Sequence, residues 1–308
     1  MKYGMYKKSI IIGLFLLLCM AVQSSILAAE ARQEQSFSSE KKEKGVYKTQ
    51  SAEKVILKDV ARNKKLELRI IWPEAEGRFP VILFSHGMFG SKDGYEPLAQ
   101  YWAEHGYVVI RPTHEDSLAL MRRKGEKIDR NALIQHMKAL QGWESRIDDI
   151  ELILNSLPDL PSLARGLGDR MDASRIGMGG HSFGAFTSQL IGGATIEKRS
   201  GETPAVYSDP RPKAFVLLSP QGQSPPGLHE NSWQNFTRPQ LTVTGSEDFG
   251  RGEQKPEWRT EPYKRSPSGD KYLLFLDKAS HKLGGISGRM MRHLRSKTRS
   301  WNLCCLNA

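Results

Sequence analysis

Beyond residue 53 the chain alternates short, almost wholly apolar runs with longer stretches in which apolar positions recur every three or four residues. The first pattern is that of a strand buried on both faces; the second is that of a helix with one buried face. "KVILKD" (54–59) and "KLELRIIW" (65–72), joined by "ARNK", predict a leading hairpin. "FPVILFSHG" (79–87) and "YVVIRP" (107–112) predict central strands, and "SRIGMGGHS" (174–182) predicts a third. "KAFVLLSP" (213–220), "PQLTVTG" (239–245) and "KYLLFLD" (271–277) predict three more. Helical spacing falls on "YEPLAQYWAEHG" (95–106), which stops at Gly106, and on "ESRIDDIELILNSL" (144–157) and "GAFTSQLIGGA" (184–194). Strands separated by helices in this way predict an α/β fold, with a mostly parallel sheet covered on both faces. No internal repeat is visible.

The N-terminus has a different pattern. Lys7 and Lys8 precede an apolar run, Ile10–Val22, and a polar stretch with small residues follows, ending at Ala28 and Ala29. This is the order of a secretory signal, so residues 1–29 are expected to direct export to the periplasm or medium, with cleavage after Ala29 or Ala31. The run is short for a bilayer span, and membrane contact is expected only if this segment stays uncleaved. Residues 30–52 are rich in Glu, Lys, Gln and Ser and read as a disordered spacer, which leaves 53–308 as the folded domain.

Composition adds limits rather than a function. The 308 residues are 39% hydrophobic and 26% charged, an ordinary globular balance. The net charge of +11 suggests a polyanion partner until it is located. Much of it sits in the N-terminal segment and in residues 282–308, which carry bases and no acid; the rest of the chain is nearly neutral. No nucleic-acid partner is expected. Cys19, Cys304 and Cys305 are the only cysteines, so the core has no disulfide framework. The adjacent pair reads as a vicinal disulfide or as two free thiols.

Candidate chemistry centres on "GGHSFGAF" (179–186), where Ser182 stands in a Gly-x-Ser-x-Gly pattern between a strand and a helix. Small neighbours allow a sharp bend that presents the hydroxyl beyond the carboxyl ends of the strands, where open α/β sheets bind ligands. The competing reading is a Ser tolerated at a turn. A serine nucleophile needs a base, and His281 in "DKASHKLGG" directly follows the last strand. The base needs a carboxylate, and "GSEDFG" offers Glu247 and Asp248, of which Asp248 is preferred. Two backbone N–H groups must receive the oxyanion: that of Phe183, and one from "HGMFG", with Met88 first and Phe89 second. His86 and His181 read as packing or hydrogen-bonding groups, and His114 as a structural or a rim residue. No metal-ligand spacing and no glycine-rich phosphate loop occurs, so no metal or cofactor is expected.

Together "FSHGMFGS", "GHSFGAF", "LTVTGSED" and "ASHKLGG" resemble the α/β-hydrolase superfamily over residues 53–285. The nearer likeness is to its platelet-activating factor acetylhydrolase-like, dienelactone hydrolase-like and polyester hydrolase (cutinase-like) members. The resemblance implies an α/β-hydrolase fold, Ser182 as nucleophile, His281 as base, Asp248 as acid, and Met88 and Phe183 as oxyanion donors. An acid after "TVTG" is the cutinase-like arrangement, whereas the acetylhydrolase acid follows the preceding strand, where "VLLSPQGQ" has none. Dienelactone hydrolases proper use Cys where this chain has Ser182. Relatives close the sheet with a long helix after the histidine; here 282–308 is an atypical basic tail, with a thin apolar face from about Ser287 to Ser300. The expected activity is hydrolysis of small or short-acyl carboxylic esters through an acyl-enzyme. Trp233 and Trp258 are candidates, with Met88 and Phe183, for an apolar substrate wall, and the insertion Asp116–Gln141 is expected to roof part of the site. The alternatives are a non-catalytic binding protein of the same fold, and an amidase or peptidase.

Overall fold

The computed structural model describes residues 47–126, 142–224, 227–250, 254–286 and the strand Leu303–Leu306. The chain divides into two units, Met1–Val46 and Tyr47–Ala308. The expected signal and most of the expected spacer belong to the first and lie outside the described residues. So does the tail stretch from Ser287 to Ser300 with its thin apolar face, and so do residues 127–141 of the insertion expected to roof the site.

Among the described residues nine strands form one sheet. The leading hairpin is β1 (Thr49–Asp59) with β2 (Lys64–Pro73), which lies antiparallel on β4 (Val108–Thr113). From β4 onward the pairing is parallel through β3 (Phe79–Ser85), β5 (Met171–His181), β8 (Pro212–Leu218), β9 (Gln240–Glu247) and β10 (Lys271–Ser280). A two-stranded ribbon of β6 (Thr195–Ile196) and β7 (Ala205–Val206) stands apart. β11 (Leu303–Leu306) closes the far edge, antiparallel to β10, with Cys304 opposite Phe275 and Cys305 opposite Leu274. The basic tail therefore ends in a strand, which its own pattern does not announce.

The strand parity sorts the core. Val81, Leu83, Ile176, Met178, Phe215 and Leu217 face one side and pack under α3 (Trp143–Asn155) and α4 (Phe183–Gly192). Their sequence neighbours Ile82, Phe84, Val216 and Leu218 face the other side, toward α1 (Glu96–Glu104), which contributes Leu98 and Trp102. Because successive residues of a strand point to opposite faces, a wholly apolar strand is what a sheet covered on both sides requires. The fold is the α/β architecture with a mostly parallel sheet that the pattern predicts.

One boundary differs. The folded unit starts before residue 53: β1 pairs from Thr49, opposite Pro73, and the Tyr47 N–H bonds to the Glu104 carbonyl while its ring meets Phe79 edge-on. "TQSA" is polar because an edge strand needs backbone partners rather than burial, so hydropathy misses it.

Candidate active site

Ser182 occupies the one-residue bend between β5 and α4, at φ 53° and ψ −116°. A positive φ is costly for a residue with a side chain and persists only where the surroundings enforce it. Two glycines enforce it here. A Cβ on Gly180 would stand 2.3 Å from Gly184 backbone atoms, and one on Gly184 would stand 1.9 Å from the Ser85 carbonyl oxygen. Helix α4 can thus lie directly on the ends of β5 and β3, with the Ser182 hydroxyl aimed outward.

The hydroxyl meets His281, the first residue after β10. His281 Nε2 is 3.0 Å from Ser182 Oγ, and its Nδ1 is 2.8 Å from Asp248 Oδ1. The imidazole is 40% exposed, whereas the Asp248 carboxylate is fully buried just past β9. Asp248 Oδ2 accepts from Thr244 Oγ1, and Oδ1 also faces Arg259 Nε at 2.6 Å. Arg259 spends its other donors on the carbonyls of Ser219, Pro220 and Phe249. Burial pushes the Asp248 carboxyl up, but the His281 hydrogen bond and the Arg259 charge outweigh it and hold the group below the usual carboxylate range. Glu247, one residue earlier, is exposed and is the last residue of β9. The structure brings Ser182, His281 and Asp248 together and turns Glu247 away.

His181 secures the His281 loop from beneath. Its Nε2 donates to the His281 carbonyl at 2.7 Å, so its Nδ1 accepts from the Tyr95 hydroxyl at 2.8 Å. Tyr95 in turn accepts the Gly87 N–H at 3.2 Å. Burial, then the nearby His281, pushes the His181 imidazole down to about 4, and burial raises Tyr95 to about 12. Both are therefore neutral near pH 7, as this relay needs. His86 and His114 are also buried: His114 bonds Ser85 Oγ and Asp149, so it is structural rather than part of the rim.

A hollow of about 620 Å³ opens over Ser182 and His281, and Met88, Phe89, Tyr95 and Leu118 supply its apolar surface. Phe183 opens α4, so its N–H has no acceptor within that helix. Phe89, the second oxyanion candidate, gives its N–H to Asp116 Oδ2 at 3.1 Å. The expected tryptophan wall is absent from this hollow. Trp233 is fully buried in the main core, its Nε1 bonded to Gln189, because a ring that large serves packing best. Trp258 bonds the Gln223 carbonyl and faces a separate surface depression beside Lys255 and Glu261. The Phe183 ring lies beneath the Arg146 guanidinium instead of facing substrate. The roofing insertion contributes its first part: Ser117 and α2 (Leu118–Arg123) line the hollow.

Arg146, Asp116 and Arg259 escaped the sequence reading. For Arg146 a signal existed: it shares the inward helical face with Ile147, Asp149, Ile150 and Ile153, a place where a charge must have a partner.

Comparison with known proteins gives the following. The family model described as chlorophyllase matches residues 39–190, a span that includes Met88 and Ser182 but ends before Asp248 and His281. Cutinase est2 of Thermobifida alba is 28% identical over 224 residues, which is 71% of this chain and 58% of that protein. A putative phospholipase A2 of Schizosaccharomyces pombe is 39% identical over 49 residues, 16% of this chain and 11% of that protein. The chain thus spans little more than half of one curated relative and about a tenth of the other. The crystal structure of a putative dienelactone hydrolase from Klebsiella pneumoniae superposes with a TM-score of 0.54 at 15% identity. That match covers 76% of this chain and 88% of the other, and is a likeness of fold.

Proposed function

The chain belongs to the α/β-hydrolase superfamily, and from that premise we propose that it is a serine hydrolase of small or short-acyl carboxylic esters. The observation that carries the reading is the unbroken string Ser182 Oγ, His281, Asp248 at 3.0 and 2.8 Å, opening on the hollow. Ser182 Oγ attacks the acyl carbon while His281 Nε2 takes its proton. The carbonyl oxygen becomes an anion held by the N–H groups of Phe183 and Met88. Collapse expels the alcohol, which receives the proton from His281. Water, deprotonated by the same nitrogen, then attacks the acyl-enzyme and releases the acid. Asp248 keeps the proton of the neutral ring on Nδ1 and stabilises the imidazolium. Support for an ester substrate comes from the likeness to a cutinase and, over a short span, to a putative phospholipase A2.

The test is a chain-length series of p-nitrophenyl esters beside the matched anilides. The wild-type protein is expected to hydrolyse short esters, and Ser182→Ala to lose that activity with its circular dichroism unchanged. A fluorophosphonate is expected to label Ser182. Activity retained in Ser182→Ala refutes the mechanism; faster cleavage of the anilides makes the protein an amidase; no turnover and no labelling leaves a binding protein of this fold.

A further inference from the structure

We propose that the buried ion pair between Arg146 and Asp116 is a positioning device that holds the oxyanion-binding loop in its working orientation. The inference rests on the reading above, in which the Met88 N–H is one of the two donors. Arg146 stands in the first turn of α3 and is 1% exposed. Its Nε and Nη2 grip the two Asp116 carboxylate oxygens at 3.0 and 2.8 Å, the two-pronged geometry that only a guanidinium offers. The rest of the fork goes to the loop. Nη1 donates to the His86 carbonyl at 2.7 Å and to Ser85 Oγ at 3.2 Å, and Nη2 reaches the Gly87 carbonyl at 3.4 Å. Asp116 takes the loop's other end through the Phe89 N–H.

These contacts bear on Met88 directly. The Gly87 carbonyl and the Met88 N–H are opposite ends of one planar trans peptide, so fixing the oxygen fixes the direction of the hydrogen. That oxygen is held by Arg146, by His86 Nδ1 at 2.6 Å and by the Gly90 N–H at 3.0 Å. The same guanidinium lies 4.5 Å over the Phe183 ring, so one rigid cation touches the residue that carries one proposed donor and the peptide oxygen opposite the other. Ser85 is tied from below by a string with the connectivity of a catalytic triad, Ser85 Oγ to His114 to Asp149, each bond 2.9 Å long. All three side chains are fully buried, so no substrate reaches them and their part is to anchor the strand end.

A buried ion pair is a poor way to gain stability, because desolvation offsets the attraction and an apolar pair of similar volume often does as well. An apolar pair cannot grip carbonyls or accept the Phe89 N–H, and this separates the two roles experimentally. The double variant Asp116→Leu/Arg146→Met is expected to unfold cooperatively, at a midpoint lowered by the His86 carbonyl and Phe89 N–H that lose a partner rather than by loss of the ion pair itself. Its kcat on a short p-nitrophenyl ester is expected to fall about 100-fold, with KM within about threefold, the scale of a lost oxyanion donor. The inhibition constant of phenylboronic acid, which forms a tetrahedral anion on the serine, is expected to rise by the same factor as kcat falls. Arg146→Lys keeps the charge but cannot serve carboxylate and carbonyls together; about a tenfold loss of kcat is expected. A folded double variant that keeps kcat and boronate affinity within threefold of wild type overturns the proposal. If the double variant does not fold, unchanged kcat and boronate affinity in Arg146→Lys overturn it. A wild-type protein that neither turns over esters nor accepts the fluorophosphonate brings down both readings; an active wild type with insensitive variants brings down this one alone.

Discussion

At the scale of single residues the site turns on a difference of one position. Asp248 is buried against His281 and Glu247 is exposed, although they are neighbours. The task proposed for the acid is to hold the imidazole in one tautomer and to stabilise its charged form, not to take the proton. Asp248→Asn offers the ring an N–H where it needs an acceptor, so kcat is expected to fall by roughly 10⁴-fold with a much smaller effect on KM. Glu247→Gln is expected to change kcat less than about tenfold, about 1.4 kcal/mol in barrier height. Steady-state kinetics of both variants checks this, with circular dichroism to verify folding, since Arg259 loses its counter-ion in the first. A crippled Glu247→Gln, or two active variants, would refute the assignment. The order Ser182, Asp248, His281 is readable from the chain because each follows a recognisable strand. The role of Trp233 is not: composition shows an aromatic, and only packing shows that it is enclosed.

At the scale of elements, the helix-to-strand contact sets the position of Ser182, the proposed nucleophile. Helix α4 approaches β3 so closely that a single methyl on Gly184 would overlap the Ser85 carbonyl, with the His86 carbonyl also at 2.8 Å. Gly184→Ala therefore has to push α4 away from the strand that leads into the proposed oxyanion loop. A loss of about 3 kcal/mol is expected from overpacking against unyielding backbone. At temperatures where the variant is folded, kcat is expected to fall by more than tenfold, because Ser182 and the loop separate. Urea unfolding and kinetics measure the two effects. A variant within 0.5 kcal/mol of wild type (roughly the scale of a surface substitution) would show that the contact is not tight. The elements themselves were legible, because strand and helix periods are properties of the local chain. β11 and the start of β1 were not, because edge strands are defined by their partners.

At the scale of the whole molecule, the polar groups buried under the site make the fold sensitive to acid. Burial, together with the Arg146 charge, holds His86 well below its ordinary value and His114 below it, and His181 lies at about 4. In the unfolded chain all three bind protons below about 6.5. The unfolded state therefore gains protons first, and stability falls as the pH drops below about 6.5 and on through the folded values. His181 alone accounts for about 3 kcal/mol by pH 4. Asp116 and Asp149 are also lowered, each despite burial: Arg146 chiefly holds Asp116 down, and His114 chiefly Asp149. Their contribution is lost only in more acid solution, below the ordinary carboxylate value. Urea midpoints measured from pH 7.5 to 4.5 are expected to fall steadily below pH 6.5. A flat profile over that range would mean that the histidines are accessible to protons in the folded state.

The sequence by itself determined the α/β class, the order of strands and helices and the bend that carries Ser182. It did so because hydrophobic period and glycine placement act through backbone geometry within a few residues. It also narrowed the partners of Ser182 to a histidine after the last strand and two adjacent acids. Only the tertiary structure decided which acid faces His281, and it placed Trp233 in the core and put Arg146 and Asp116 beneath the loop. These are contacts between residues 30 to 99 positions apart, such as Asp116 with Arg146 and Ser182 with His281. No local period encodes them, since burial and charge pairing are settled only when distant segments meet.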